Sequence, residues 1–165
     1  MNGKSARRLL IAYTLAAVAG LAGTQHALAA DAHDHGAATP VLKLDAGSKW
    51  RTDAPLREGM LKIRADVEQK LPAIHAGKFA DAQYAALGKA VETQLAYIVG
   101  NCKLEPAADA VLHGVIAEMS DGVEVVTGKK AAGVRSNGVV YMVNALNNYG
   151  NYFDHPGWKP VSPKH

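Results

Sequence analysis

Four stretches of this chain repeat apolar residues at intervals of three and four, and that repeat dictates what it can fold into. Leu56, Met60, Ile63, Val67 and Leu71 form the first stripe. Tyr84, Leu87, Val91, Leu95, Ile98 and Cys102 form the second and most regular. Leu112, Ile116, Met119, Val123 and Val126 form the third, and Val139, Met142, Leu146, Tyr149 and Phe153 the fourth. Such spacing puts each set on one side of an α-helix. Asp53 is suited to cap the first helix, with Pro55 tolerated in its first turn and Pro72 expected to end or kink it. The second helix starts near Asp81, the third near Glu105-Pro106, and Gly128 stops the third. Asp154-His155-Pro156-Gly157 stops the fourth. No alternating strand pattern exceeds a few residues. The expected fold is all-α, an up-down-up-down four-helix bundle over residues 49–158 with a C-terminal tail at 159–165.

Residues 1–30 read as a signal peptide. Lys4, Arg7 and Arg8 precede an apolar run from Leu9 to Leu21, and Ala27-Leu28-Ala29 presents small residues where a signal peptidase cuts, near Ala29 or Ala30. Ser5-Ala6-Arg7-Arg8 departs from a twin-arginine signal, which favours general secretion. The run falls short of the ~20 residues a membrane span needs. The expected product is periplasmic, with no membrane span in the mature chain. The whole chain has 18 Lys+Arg against 15 Asp+Glu. The three signal cations face no acid, so processing leaves 15 of each sign. The basic pI belongs to the signal and argues for no nucleic-acid partner. Residues 31–48 read as a flexible tether.

Chemistry-bearing residues are sparse. Cys102 is the only cysteine, so in an oxidising compartment it is buried, metal-bound or paired with another molecule. If neighbouring helices alternate in direction, Met60, Cys102, His113 and His155 fall near one pole. Thioether, thiolate and imidazole suit a soft transition metal, copper above all. No C-x-x-C or H-E-x-x-H spacing accompanies them. The tether adds His33 and His35. Cleavage after Ala30 would expose Asp31-Ala32-His33, whose amine, amides and imidazole chelate Cu(II) or Ni(II). Met60 and His155 also sit, in outline, where a bundle cytochrome binds b-type haem. No C-x-x-C-H exists for covalent haem. Cys102 with a histidine is the only pair resembling a nucleophile and base. It lacks an elbow or oxyanion donors, so no enzyme is expected.

Two further features suggest a protein partner. Trp50, Tyr152 and Trp158 form a candidate aromatic patch at the same pole. Lys129, Lys130 and Arg135 lie in a loop without acids, either a solvated connector or a surface for an anionic partner.

Three stretches carry a resemblance: Leu44-Asp45-Ala46-Gly47-Ser48-Lys49-Trp50 running on to Leu56-Arg57-Glu58-Gly59-Met60, then Asn101-Cys102-Lys103-Leu104-Glu105-Pro106, then Tyr152-Phe153-Asp154-His155-Pro156-Gly157-Trp158. Together they resemble a family of small exported proteobacterial helical proteins sometimes encoded near metal-resistance genes. The resemblance covers most of residues 44–158. It implies export and nudges the reading toward metal, but assigns no ligand or activity to these motifs. The expected function is therefore a periplasmic bundle that binds or buffers a transition metal, with a non-catalytic adaptor module as the alternative and a b-type haem electron carrier after that.

Overall fold

The structure is a computed structural model that describes residues 41–162. The fold is all-α, with four helices: α1 (Ala54–His75), α2 (Asp81–Asn101), α3 (Pro106–Thr127) and α4 (Ser136–Tyr152). Two short strands, β1 (Trp50–Arg51) and β2 (Phe153–Asp154), flank the first and last helices. No helix among the described residues is long and apolar enough to cross a membrane. The expected signal peptide and the tether up to residue 40 lie outside the described residues.

Each apolar stripe becomes the inner face of its helix. All five residues of the first stripe, all five of the fourth, and Tyr84 through Ile98 of the second are buried. The third differs at one position, because α3 packs against both α2 and α4. Burial there widens to Ala108, Val111, Val115 and Val125, and Ile116 is left half-exposed at the margin. Successive helices meet start against end. Gly59 of α1 lies under Ile98 of α2, Gly88 of α2 faces Val123 and Val126 of α3, and Gly122 of α3 faces Gly138 and Met142 of α4.

The termini of the helices follow local chemistry. Asp53 is extended, and its carboxylate accepts the Leu56 N–H at 2.9 Å, satisfying a free amide of the first turn. Its other oxygen accepts the Lys103 N–H at 2.6 Å, so one side chain caps α1 and ties down the α2–α3 link. Pro72 does not end α1, which runs on to His75. The proline forfeits one backbone bond near the helix end, while buried Leu71 and Ile74 hold the stripe in place on either side. Gly128 closes α3 with φ +79°, a conformation other residues rarely adopt.

Two boundaries differ from the sequence expectation. Residues 41–48 are not free tether: Asp45 and Ser48 exchange two backbone bonds, Leu42 packs on the core, and Lys43 carbonyl accepts from Trp50 Nε1 at 2.7 Å. The tail is also docked as far as Val161, which is buried and whose backbone N–H and carbonyl both pair with the Asn147 amide. β1 and β2 run parallel, Trp50 beside Phe153 and Arg51 beside Asp154, and join the entry of α1 to the exit of α4. Strands of two residues carry no alternation, so the sequence pattern could not show them.

Candidate functional site

The four residues expected to share a metal pole occupy four different settings. Met60 is sealed within the core. Cys102 is half-exposed at the end of α2, where its N–H closes the helix on Ile98 carbonyl. Partial burial, and then the nearby Asp53 and Asp109 carboxylates, push its thiol above the usual range and away from the thiolate that a metal or an acyl group would need. His113 points outward, 62 % exposed, with Nδ1 2.9 Å from the Asp109 carbonyl one turn earlier. His155 is nearly buried, and its Nδ1 lies 2.8 Å from the Tyr149 hydroxyl. Among the described residues, no three His, Cys, Asp or Glu side chains are gathered to hold a metal ion. Shared height along a helical fold does not imply a shared direction, and Cys102 and His155 lie just past the ends of α2 and α4 rather than on them. The Met60 and His155 pair that suggested haem is likewise engaged in packing. His33 and His35 lie outside the described residues.

Trp50, Tyr152 and Trp158 of the expected aromatic patch are each half-buried and pack against the core. Trp158 stands edge-on to Tyr149, with ring centroids 4.8 Å apart, and 5.1 Å from His155. The Arg64 guanidinium lies 5.7 Å from its ring. Trp158 Nε1 is buried against Gly150 with no hydrogen-bond partner among the described residues. Trp50 is half-buried and spends its indole N–H on Lys43, and Tyr152 is half-buried. These rings fasten the segments just before α1 and just after α4 onto the helices. The basic loop is neutralised too: Lys129 pairs with Glu92 at 3.1 Å, Lys130 with Asp121 at 2.6 Å and Arg135 with Asp81 at 3.1 Å.

The Tyr149–His155 pair has a consequence for pH. Burial pushes the Tyr149 hydroxyl well above the usual range, so it stays protonated. Burial first, then the Arg57 cation, pulls His155 below the ordinary imidazole value, against the raising effect of Asp154. A neutral imidazole accepts the tyrosine proton, whereas an imidazolium would strand it. With the folded pKa below the unfolded one, the unfolded chain binds the extra proton. Stability from this pair is therefore complete above pH ~6.5 and falls as pH drops below that value toward the folded pKa. We expect the melting temperature to fall between pH 7.5 and pH 5 in a thermal scan, and His155→Gln to remove part of that fall. An unchanged pH profile in the variant would show the pair to be thermodynamically silent.

The aromatic and asparagine residues that cluster late in the sequence, Tyr141, Asn144, Asn147 and Asn151 among them, lie on α4. The seventeen residues of α4 include no charged side chain. Its outward positions Asn137, Val140, Tyr141, Asn144 and Asn151 are exposed, with Val140 at 55 % and Tyr141 at 38 %. The outward side of α1, by contrast, bears Glu58, Lys62 and the Arg64–Glu68 pair. Beside the α4 face runs a groove of about 400 Å³, floored by Leu71 and Ile74 of α1 and by Val139, Val140 and Val143 of α4. Solvent-facing helix surfaces usually carry charge, and interface cores shed it while keeping tyrosine. The signal lay in the sequence as a second spacing: Asn137, Val140, Asn144, Asn147 and Asn151 step by three, four, three and four.

Comparison with models of known protein families, with curated proteins and with solved structures finds no match. The resemblance drawn from the three sequence stretches thus brings no ligand or activity to this surface.

Proposed function

We propose that this chain is an exported, non-catalytic helical module that docks another helix on the outward face of α4. The observation that carries the reading is the absence of charged residues within α4 itself, with Val140 and Tyr141 exposed beside a groove floored by Leu71 and Ile74. A helix laid there would cover the groove and place its own apolar side chains over α1 and α4, the usual helix-in-groove mode. Export rests on the signal-like residues 1–30. With the tryptophans half-buried against the core and the basic loop ion-paired, the α4 face is the surface best suited to a protein partner.

A photo-crosslinking amino acid in place of Tyr141, introduced in the protein expressed and exported by its host, tests this. A discrete adduct is expected at position 141 and none at exposed Lys89 on α2. Equal labelling at both sites, or none at 141, would overturn the docking reading.

A further inference from the structure

Resting on the docking reading for what it controls, we propose that Pro163-Lys164-His165, the residues after Ser162, run on into the groove between α1 and α4 and cover it until a partner helix displaces them. The course of the chain before them carries this inference. After Phe153 the chain doubles back along α4 as a strap. Trp158 lies between Arg64 of α1 and Gly150 of α4, and Val161 follows beside Asn147, nearly a turn closer to the start of α4. The strap thus runs antiparallel to α4, in the seam between the first and last helices. The groove continues the same seam. Leu71 and Ile74 lie further along α1 from Arg64, and Val143, Val140 and Val139 lie further back along α4 from Asn147. Asn147 belongs to both, since it clamps Val161 and lines the groove. The strap therefore arrives at the mouth of this slot headed into it.

Reach and chemistry agree with that course. An extended chain advances ~3.3 Å per residue and a helix ~1.5 Å, which brings Pro163 level with Val143 and Lys164 level with Val140. No acid, lysine or arginine lines the groove. Its floor suits a proline ring and the methylene stem of a lysine whose ammonium reaches water. Proline also brings no N–H to be stranded against apolar side chains. Asn147 spends both ends of its amide on the Val161 backbone, at 2.8 and 3.1 Å. Asn144, one turn on and exposed, offers the same amide to the Pro163 carbonyl. Three residues bury little, so a helix with a full apolar face displaces them. The cover lowers the apparent affinity of the groove by the fraction of time it is seated.

A Cys102→Ser chain carrying Val140→Cys and Lys164→Cys tests the course of these residues. Under mild oxidation at low protein concentration it should close an internal disulfide at least about tenfold faster than a Cys102→Ser, Lys89→Cys, Lys164→Cys control, because a tethered thiol held over α4 has a far higher effective concentration there. Val140 and Lys89 are both exposed, so the two chains should melt within a few degrees of each other. Adding Pro163→Asp to the first chain should remove most of its advantage, since a carboxylate is costly on an uncharged apolar floor. Equal closure rates for the two pairs, or a rate indifferent to Pro163→Asp, would overturn the proposed course. With the photo-crosslinking amino acid at Tyr141, Pro163→Asp should raise the yield of partner adduct several-fold, and an unchanged yield would overturn the control of docking. The two readings fail separately. Fast closure of the Val140→Cys, Lys164→Cys pair with no Tyr141 adduct in either chain would keep the cover and remove the partner helix. Equal closure rates alongside a Tyr141 adduct would keep the partner and remove the cover.

Discussion

Tyr149→Ala is expected to destabilise the protein by about 3–5 kcal/mol, near the total margin of many domains of this size. Tyr149 is fully buried at the point where α4 hands over to the C-terminal segment. Its ring stacks on Phe153 at 5.4 Å and meets Trp158 and His155 edge-on. Losing the ring opens a large cavity, strips three aromatic neighbours of their common partner, and leaves the His155 imidazole without its hydrogen bond. Tyr149→Phe separates these contributions. It keeps the ring and deletes only the hydroxyl, so it should cost about 1–2 kcal/mol. Urea unfolding of the two variants measures the difference. Equal losses would mean that the hydroxyl bond, not the ring, holds the segment from Phe153 to Val161 against the helices.

Gly138→Val is the second large effect, expected at about 3 kcal/mol of destabilisation. A methyl group built on Gly138 would lie 2.5 Å from the Gly122 carbonyl oxygen and under 3 Å from Val125 and Val126. The reverse holds for Gly122, whose methyl would sit 2.6 Å from the Gly138 carbonyl oxygen. These two glycines set how closely α3 and α4 approach. In an ordinary helix interior, replacing glycine gains roughly 0.5–1 kcal/mol by restricting the unfolded chain and favouring the helix. Here the obstacle is backbone on the opposing helix, which has no rotamer to move to, so steric cost exceeds that gain. Gly100→Ala provides the contrast. Nothing lies within 4 Å of its would-be methyl, and the position is exposed on α2. It should stabilise by a few tenths to about 1 kcal/mol in the same urea assay. A tolerated Gly138→Val would show that the two helices can separate freely.

The inner faces of the helices were readable because periodicity is local. Leu56 to Leu71 and Tyr84 to Ile98 announce one side of a helix at three- and four-residue steps, and those sides are buried. Asp53 was readable as a cap for the same reason, since its bond reaches only three residues ahead. Its second bond, to Lys103 fifty residues away, was not. Pro72 does not end α1, because buried Leu71 and Ile74 on either side hold the turn that contains it.

The candidate sites divide along the same line. Met60, Cys102, His113 and His155 were grouped by height along the helices, which the order of elements suggests. Whether their side chains meet depends on the rotation of each helix about its axis, and that is set by packing between helices. His113 turned to Asp109 and His155 to Tyr149. The Asn137–Val140–Asn144 spacing was present in the chain all along, but it acquires meaning only once Val139, Met142 and Leu146 are known to face inward and Val140, Tyr141 and Asn144 are known to be exposed. Sequence alone determined the helices, their order and their apolar faces, because each depends on contacts a few residues apart. Only the tertiary structure decided which partners the histidines and tryptophans took, and that Val140, Tyr141 and Asn144 stay exposed on an α4 without charged residues, because those outcomes arise from contacts between residues far apart in the chain.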